Sequence, residues 1–69
     1  MVKNINKLKG KMAENGYTLK RLTEELGISE NTLRRKMNDE NSEFTVGESD
    51  AIRKMLNLTI EEFFNIFYE

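Results

Sequence analysis

The sequence predicts an all-α fold of five short helices around one core. Two observations carry that reading. Apolar residues recur at three- and four-residue spacing in successive segments, and no stretch sustains the period-two alternation of a strand. Proline is absent, so glycine, asparagine and hydroxyl residues must punctuate the chain, and they fall between the periodic segments. Residues 1–69 are expected to be a single domain, since a chain of this length buries only about 60 % of its unfolded surface. Met1 and a complete fifth helix lead to the expectation of a whole protein rather than an excised piece.

The first helix is expected over about Lys3 to Glu14. Ile5, Leu8 and Met12 line one side, and Lys3, Lys7 and Lys11 line the other. Asn15-Gly16 stops it, because glycine accepts the left-handed conformation that commonly ends a helix. Thr18 reads as the N-cap of a second helix with Leu19, Leu22 and Leu26 as its buried stripe. Gly27 closes that helix, and Ser29 caps a third, anchored by Leu33 and Met37. A polar, acid-rich loop follows at residues 39–43.

Thr45 and Glu48 then have capping-box spacing, which starts a fourth helix carrying Ala51, Ile52, Met55 and Leu56 and ending near Asn57. Thr59 and Glu62 repeat the box. In the fifth helix Ile60, Phe63, Phe64 and Phe67 are expected to form the core stripe, with Tyr68 at its edge and Ile66 exposed.

Composition excludes several functions. Without cysteine there is no disulfide framework or thiolate metal site, and without histidine the commonest general base and zinc ligand are missing. No glycine-rich phosphate loop is present, so no cofactor is expected. Glu24-Glu25 and Glu61-Glu62 are adjacent helical positions, about 100° apart, and cannot face one substrate. An enzyme is not expected. There is no apolar run near the ~20 residues of a membrane span and no signal peptide, so the expected location is the cytoplasm.

The net charge of −1 conceals an asymmetry. Residues 1–38 hold nine Lys/Arg against four acids, a balance of +5, and residues 39–69 hold two against eight, a balance of −6. Such a dipolar molecule can turn one face to phosphate. Charge alone does not decide it.

The third helix carries the sharper signal. Asn31, Arg34, Arg35 and Asn38 fall within an arc of about 100° beside Leu33 and Met37. Arginine can donate two bonds to guanine O6 and N7, and asparagine can pair with adenine N6 and N7. A turn as short as Gly27-Ile28-Ser29 packs the second and third helices crosswise and leaves the third free to enter a major groove. Ser29, at the start of that helix, could contact a base or a phosphate. Glu30 could accept from cytosine N4, but its place in the first turn of a helix is explained more cheaply by the dipole. Thr18, Lys20 and Lys36 are the expected phosphate contacts. Lys3, Lys7 and Lys11 would add long-range attraction, and Asp39, Glu40 and Glu43 would oppose it.

Gly16-Tyr17-Thr18, Leu22 to Ser29 (LTEELGIS), Asn31 to Asn38 (NTLRRKMN), Glu43 to Glu48 (EFTVGE) and the ending LNLTIEEFFNIF resemble the Cro/CI (XRE-type) helix-turn-helix family. The likeness covers nearly the whole chain. It is to the small Cro- or repressor-type proteins in phages and prophages of Gram-positive bacteria. The resemblance implies a compact five-helix, lambda-repressor-like DNA-binding domain whose second and third helices form the helix-turn-helix. It implies base readout by Ser29, Glu30, Asn31, Arg34, Arg35 and Asn38, and a phosphate grip at Thr18 and Leu19. Leu19 stands where glutamine is frequent, Thr23 where a small alanine is frequent, and the acidic loop is a third departure.

The implied partner is a double-stranded DNA operator, bound by a monomer or weak homodimer that pairs on pseudo-palindromic sites with half-sites about 34 Å apart. The alternative is an antirepressor or modulator that grips another repressor protein, its acidic half docking on a basic surface.

Overall fold

The computed structural model describes residues 2–68. They form α1 (Ile5–Glu14), α2 (Leu19–Leu26), α3 (Glu30–Asn38), α4 (Val46–Met55) and α5 (Ile60–Phe67). The all-α expectation holds, and among the described residues there is no strand. No helix of these residues is long and apolar enough to cross a membrane.

Each helix begins where a short polar side chain can replace a missing acceptor. Asn4, Thr18, Ser29, Thr45 and Thr59 each accept from the amide three residues on, and such a cap contributes about 1 kcal/mol. Both expected capping boxes form, with Glu48 and Glu62 reaching back to the threonine amides at 2.8 and 2.9 Å. The ends are set by chain reversal. Tyr17 N–H donates to Met12 O at 2.8 Å around Gly16, and Leu58 N–H donates to Arg53 O at 3.0 Å around Asn57. Asn57 adopts the left-handed conformation (φ 52°), as Gly16 and Gly27 do (both 71°).

Leu8 and Met12 from α1, Leu22 from α2, Leu33 and Met37 from α3, Ile52 from α4 and Ile66 from α5 meet in one core with Leu56 and Leu58. α2 packs on α3 and α4, and α1 packs on α5. Three expectations are corrected. α1 starts at Ile5, two residues later than expected, because the amides of Lys3 and Asn4 donate instead to Ile66 O at 2.9 and 3.1 Å. That detour buries Val2. Lys11 is not on an open lysine face. Its ammonium bonds Glu62 at 2.5 Å and Glu14 at 3.5 Å.

The third correction concerns α5. Ile66 is fully buried, while Ile60 is 80 % and Phe64 54 % exposed. The helix is rolled so that Glu62, Phe63, Ile66 and Phe67 face inward. The N-terminal segment bonded to Ile66 O and the Lys11–Glu62 pair hold it in that orientation.

Candidate nucleic-acid interface

The turn between α2 and α3 is built by Thr23 and Gly27. Thr23 is buried, donates its hydroxyl to Lys20 O at 2.6 Å, and accepts on its carbonyl from the amides of Gly27 and Ile28. Its hydroxyl is therefore satisfied within its own helix, which is why a side chain larger than alanine fits there. Gly27 reverses the chain, and Ser29 starts α3 two residues later. Leu33 and Met37 pin one side of α3 into the core.

The opposite side of α3 exposes Glu30, Asn31, Arg34, Arg35 and Asn38, and Ser29 is exposed at its cap. The expected readout residues are thus brought together, but along two differently engaged strips. On one, Glu30 Oε1 accepts from Arg34 Nη2 at 2.7 Å and Asn38 Nδ2 donates to Arg34 O at 3.0 Å. On the other, Asn31 and Arg35 have no side-chain bond among the described residues. Ser29 Oγ accepts from Thr32 N–H and donates to Thr32 Oγ1 at 2.8 Å, so its proton is already committed.

At the start of α2, Thr18 Oγ1 accepts from Arg21 N–H at 3.1 Å, while Thr18 and Lys20 stand exposed. Arg21 was not expected at this site. Its guanidinium lies 4.5 Å from the Tyr17 ring centre, a cation–π contact that holds it beside the helix start. The spacing of Tyr17 and Arg21 was the available signal. The Glu25 carboxylate accepts the Tyr17 hydroxyl and raises the phenol above its ordinary range.

Lys36 is placed differently from its expected phosphate role. Its side chain is only 18 % exposed, and its ammonium bonds Glu48 Oε1 at 2.6 Å. Partial burial pushes the Glu48 carboxyl up, but the bonds from Lys36 and from the Thr45 amide outweigh it and hold it below the usual range. One glutamate therefore caps α4 and ties it to α3. Neither partner's position betrays this in the sequence, since the two are twelve residues apart across a loop.

A family model described as a Cro/C1-type HTH DNA-binding domain matches residues 7–67, from the first turn of α1 to the end of α5. No curated protein and no solved structure matches the chain. With a capped second helix, a glycine reversal and an exposed polar side on the third, and with that match spanning all five helices, the chain belongs to the Cro/C1-type helix-turn-helix DNA-binding domain family.

Proposed function

We propose that the chain is a sequence-specific transcriptional regulator of phage or prophage Cro or repressor type, working in the bacterial host cytoplasm. In this reading α3 lies in the major groove of double-stranded DNA. The observation that carries it is the exposed row of Asn31, Arg34, Arg35 and Asn38, backed by buried Leu33 and Met37. Asn31 and Arg35 reach base edges first, because their donors are unspent. Arg34 joins them by leaving Glu30. That exchange is favourable: an exposed pair is worth about 0–1 kcal/mol, and a bidentate guanine contact about 1–3 kcal/mol. Ser29 and Asn38 mark the two ends of the row, with Glu30 beside them serving mainly the helix dipole.

Thr18, Lys20 and Arg21 grip phosphate together with the first amides of α2, which have no acceptor within the helix. Lys36 is left out, since Glu48 holds its ammonium. Two copies, monomeric or weakly paired in solution, meet on an operator with two-fold symmetry.

The test is selection of bound sequences from a random double-stranded pool at moderate salt. A short motif, especially an inverted repeat, is the expected product. A folded protein that enriches nothing overturns the reading. It would favour a modulator of another regulator, to which exposed Glu40 and Glu43, unpaired among the described residues, are suited. Charge reversal over residues 39–43 separates the two, strengthening DNA binding in the first case and weakening protein pairing in the second.

A further inference from the structure

Lys36 follows Arg35 by about 100° around α3, so it leaves the exposed row for the flank that faces α4. Its side chain is 18 % exposed, and its ammonium bonds Glu48 Oε1 at 2.6 Å. That oxygen is held independently of the lysine, because it also accepts the Thr45 amide at 2.8 Å. The Glu48 side chain is itself only 17 % exposed.

Two cations of α3 are thus bonded to acids, and the two bonds differ in kind. Glu30 and Arg34 are more than half exposed and lie one turn apart on the same helix, a pair that water and salt weaken. Lys36 and Glu48 are largely covered and join separate helices, where screening acts much less. Arg34 can leave its acid for DNA. Lys36 is retained by its own.

We propose that Glu48 is a positioning residue for DNA discrimination: it holds Lys36 against α4, away from phosphate, and so keeps the hold on random DNA low. The inference deepens the reading of α3 as the groove helix and rests on it. An α-helix with its side chains is about 10–12 Å across, and the major groove is about 12 Å wide. The exposed row therefore meets the floor of the groove, and the flanks of the helix meet its phosphate walls. Lys36 is the flank residue beside Arg35, and its four-carbon stem lets a released ammonium swing past the helix edge.

A lysine–phosphate contact carries no sequence information, and it does not gain equally on every duplex. On a matched site, base contacts from Asn31, Arg34 and Arg35 fix the depth and roll of α3. On random DNA nothing fixes them, and the helix settles where its cations best meet phosphate. A released Lys36 thus favours random DNA. The addition is large because the other cations are few: in the helix-turn-helix, Lys20, Arg21 and Arg35 are the exposed ones without an ion pair among the described residues.

The experiment is a double-mutant cycle of Glu48→Gln and Lys36→Gln. Glutamine at 48 keeps the capping box with Thr45, and circular dichroism checks the fold. Anisotropy titrations over a salt series use the selected site and a random duplex of equal length. Glu48→Gln should raise affinity for the random duplex severalfold at low salt and narrow the ratio of selected to random affinity. It should also steepen the salt dependence on random DNA by up to about 0.9, the value of one added phosphate contact. In the Lys36→Gln background the same change should leave that slope where it was, and Lys36→Gln alone should not alter it. An unchanged slope and ratio in Glu48→Gln overturn the proposal and leave the pair as a link between helices. An equal gain with and without Lys36 overturns it too, since Glu48 then acts as a distant repelling charge. A shallower slope in Lys36→Gln alone means that the lysine already grips phosphate, which also overturns it. The random duplex needs no selected motif, so a selection that fails, and the regulator reading with it, still leaves the slopes to decide the role of Glu48.

Discussion

A single acid engages the exposed side of α3. Glu30 lies four residues before Arg34, the spacing at which helical side chains meet, and its carboxylate holds the guanidinium at 2.7 Å with both groups more than half exposed. It stabilises the free helix and, in the proposed reading, competes with guanine for the same donors. Glu30→Gln is therefore expected to raise affinity for the selected site severalfold, within the ~1 kcal/mol such a pair is worth, at a cost of a few tenths in helix stability. Anisotropy titrations over a salt series check this. A fall in affinity would instead make Glu30 a base contact, to cytosine N4. Arg35→Ala tests the free strip. It should lose about 1–3 kcal/mol on the selected site and little on random DNA, whereas equal losses would make Arg35 a phosphate contact.

Among the elements, the ends were easier to read than the faces. Threonine three residues before glutamate announces a cap from local geometry alone, and all the expected caps of α2 to α5 are present. Asn57 is the informative end. It turns the chain at φ 52° where glycine does the same for α1 and α2. Asn57→Gly should be neutral or stabilising by a few tenths of a kcal/mol, and Asn57→Ala should cost about 1–2 kcal/mol, read from urea midpoints.

The roll of α5 was not legible for a physical reason. At about 100° per residue, residues 60, 63, 64 and 67 and residues 63, 66 and 67 make overlapping apolar stripes. The sequence offers more apolar surface than one helix side can bury. What chooses between them is distant: the Lys3 and Asn4 amides on Ile66 O, and Lys11 on Glu62. The site was legible in part by the same logic. Exposure of the α3 row follows from Leu33 and Met37, and the Glu30–Arg34 pair from spacing. The capture of Lys36 by Glu48 depends on how two helices meet across a loop.

At the scale of the whole molecule, the charge asymmetry does two jobs. Lys11 and Lys36 from the basic half are bonded to Glu62 and Glu48 from the acidic half, so part of the opposition is spent on joining α1 to α5 and α3 to α4. Lys20 and Arg35 of the helix-turn-helix are exposed and carry no ion pair among the described residues, which in the proposed reading leaves them for DNA. This arrangement makes stability depend on pH at both ends. The Lys11 ammonium and the Thr59 amide hold the Glu62 carboxyl at about 2, against an ordinary 4.5. A depressed carboxyl contributes stability above its unfolded value and loses it as pH falls. The acid limb should therefore fall between about pH 4.5 and 2, with Glu48, also lowered, adding to it. Lys11 is raised above 10.5, chiefly by the same bond, so its contribution holds below that value and fades as pH climbs through the raised one. Glu62→Gln isolates the effect, because glutamine can still complete the capping box with Thr59 but cannot pair as an anion with Lys11. Denaturant midpoints from pH 2 to 8 should show the variant less stable near neutrality and flatter toward acid, converging on the wild type near pH 2. An unchanged acid slope would assign the acid limb to other carboxylates and reduce the Lys11–Glu62 bond to a local contact.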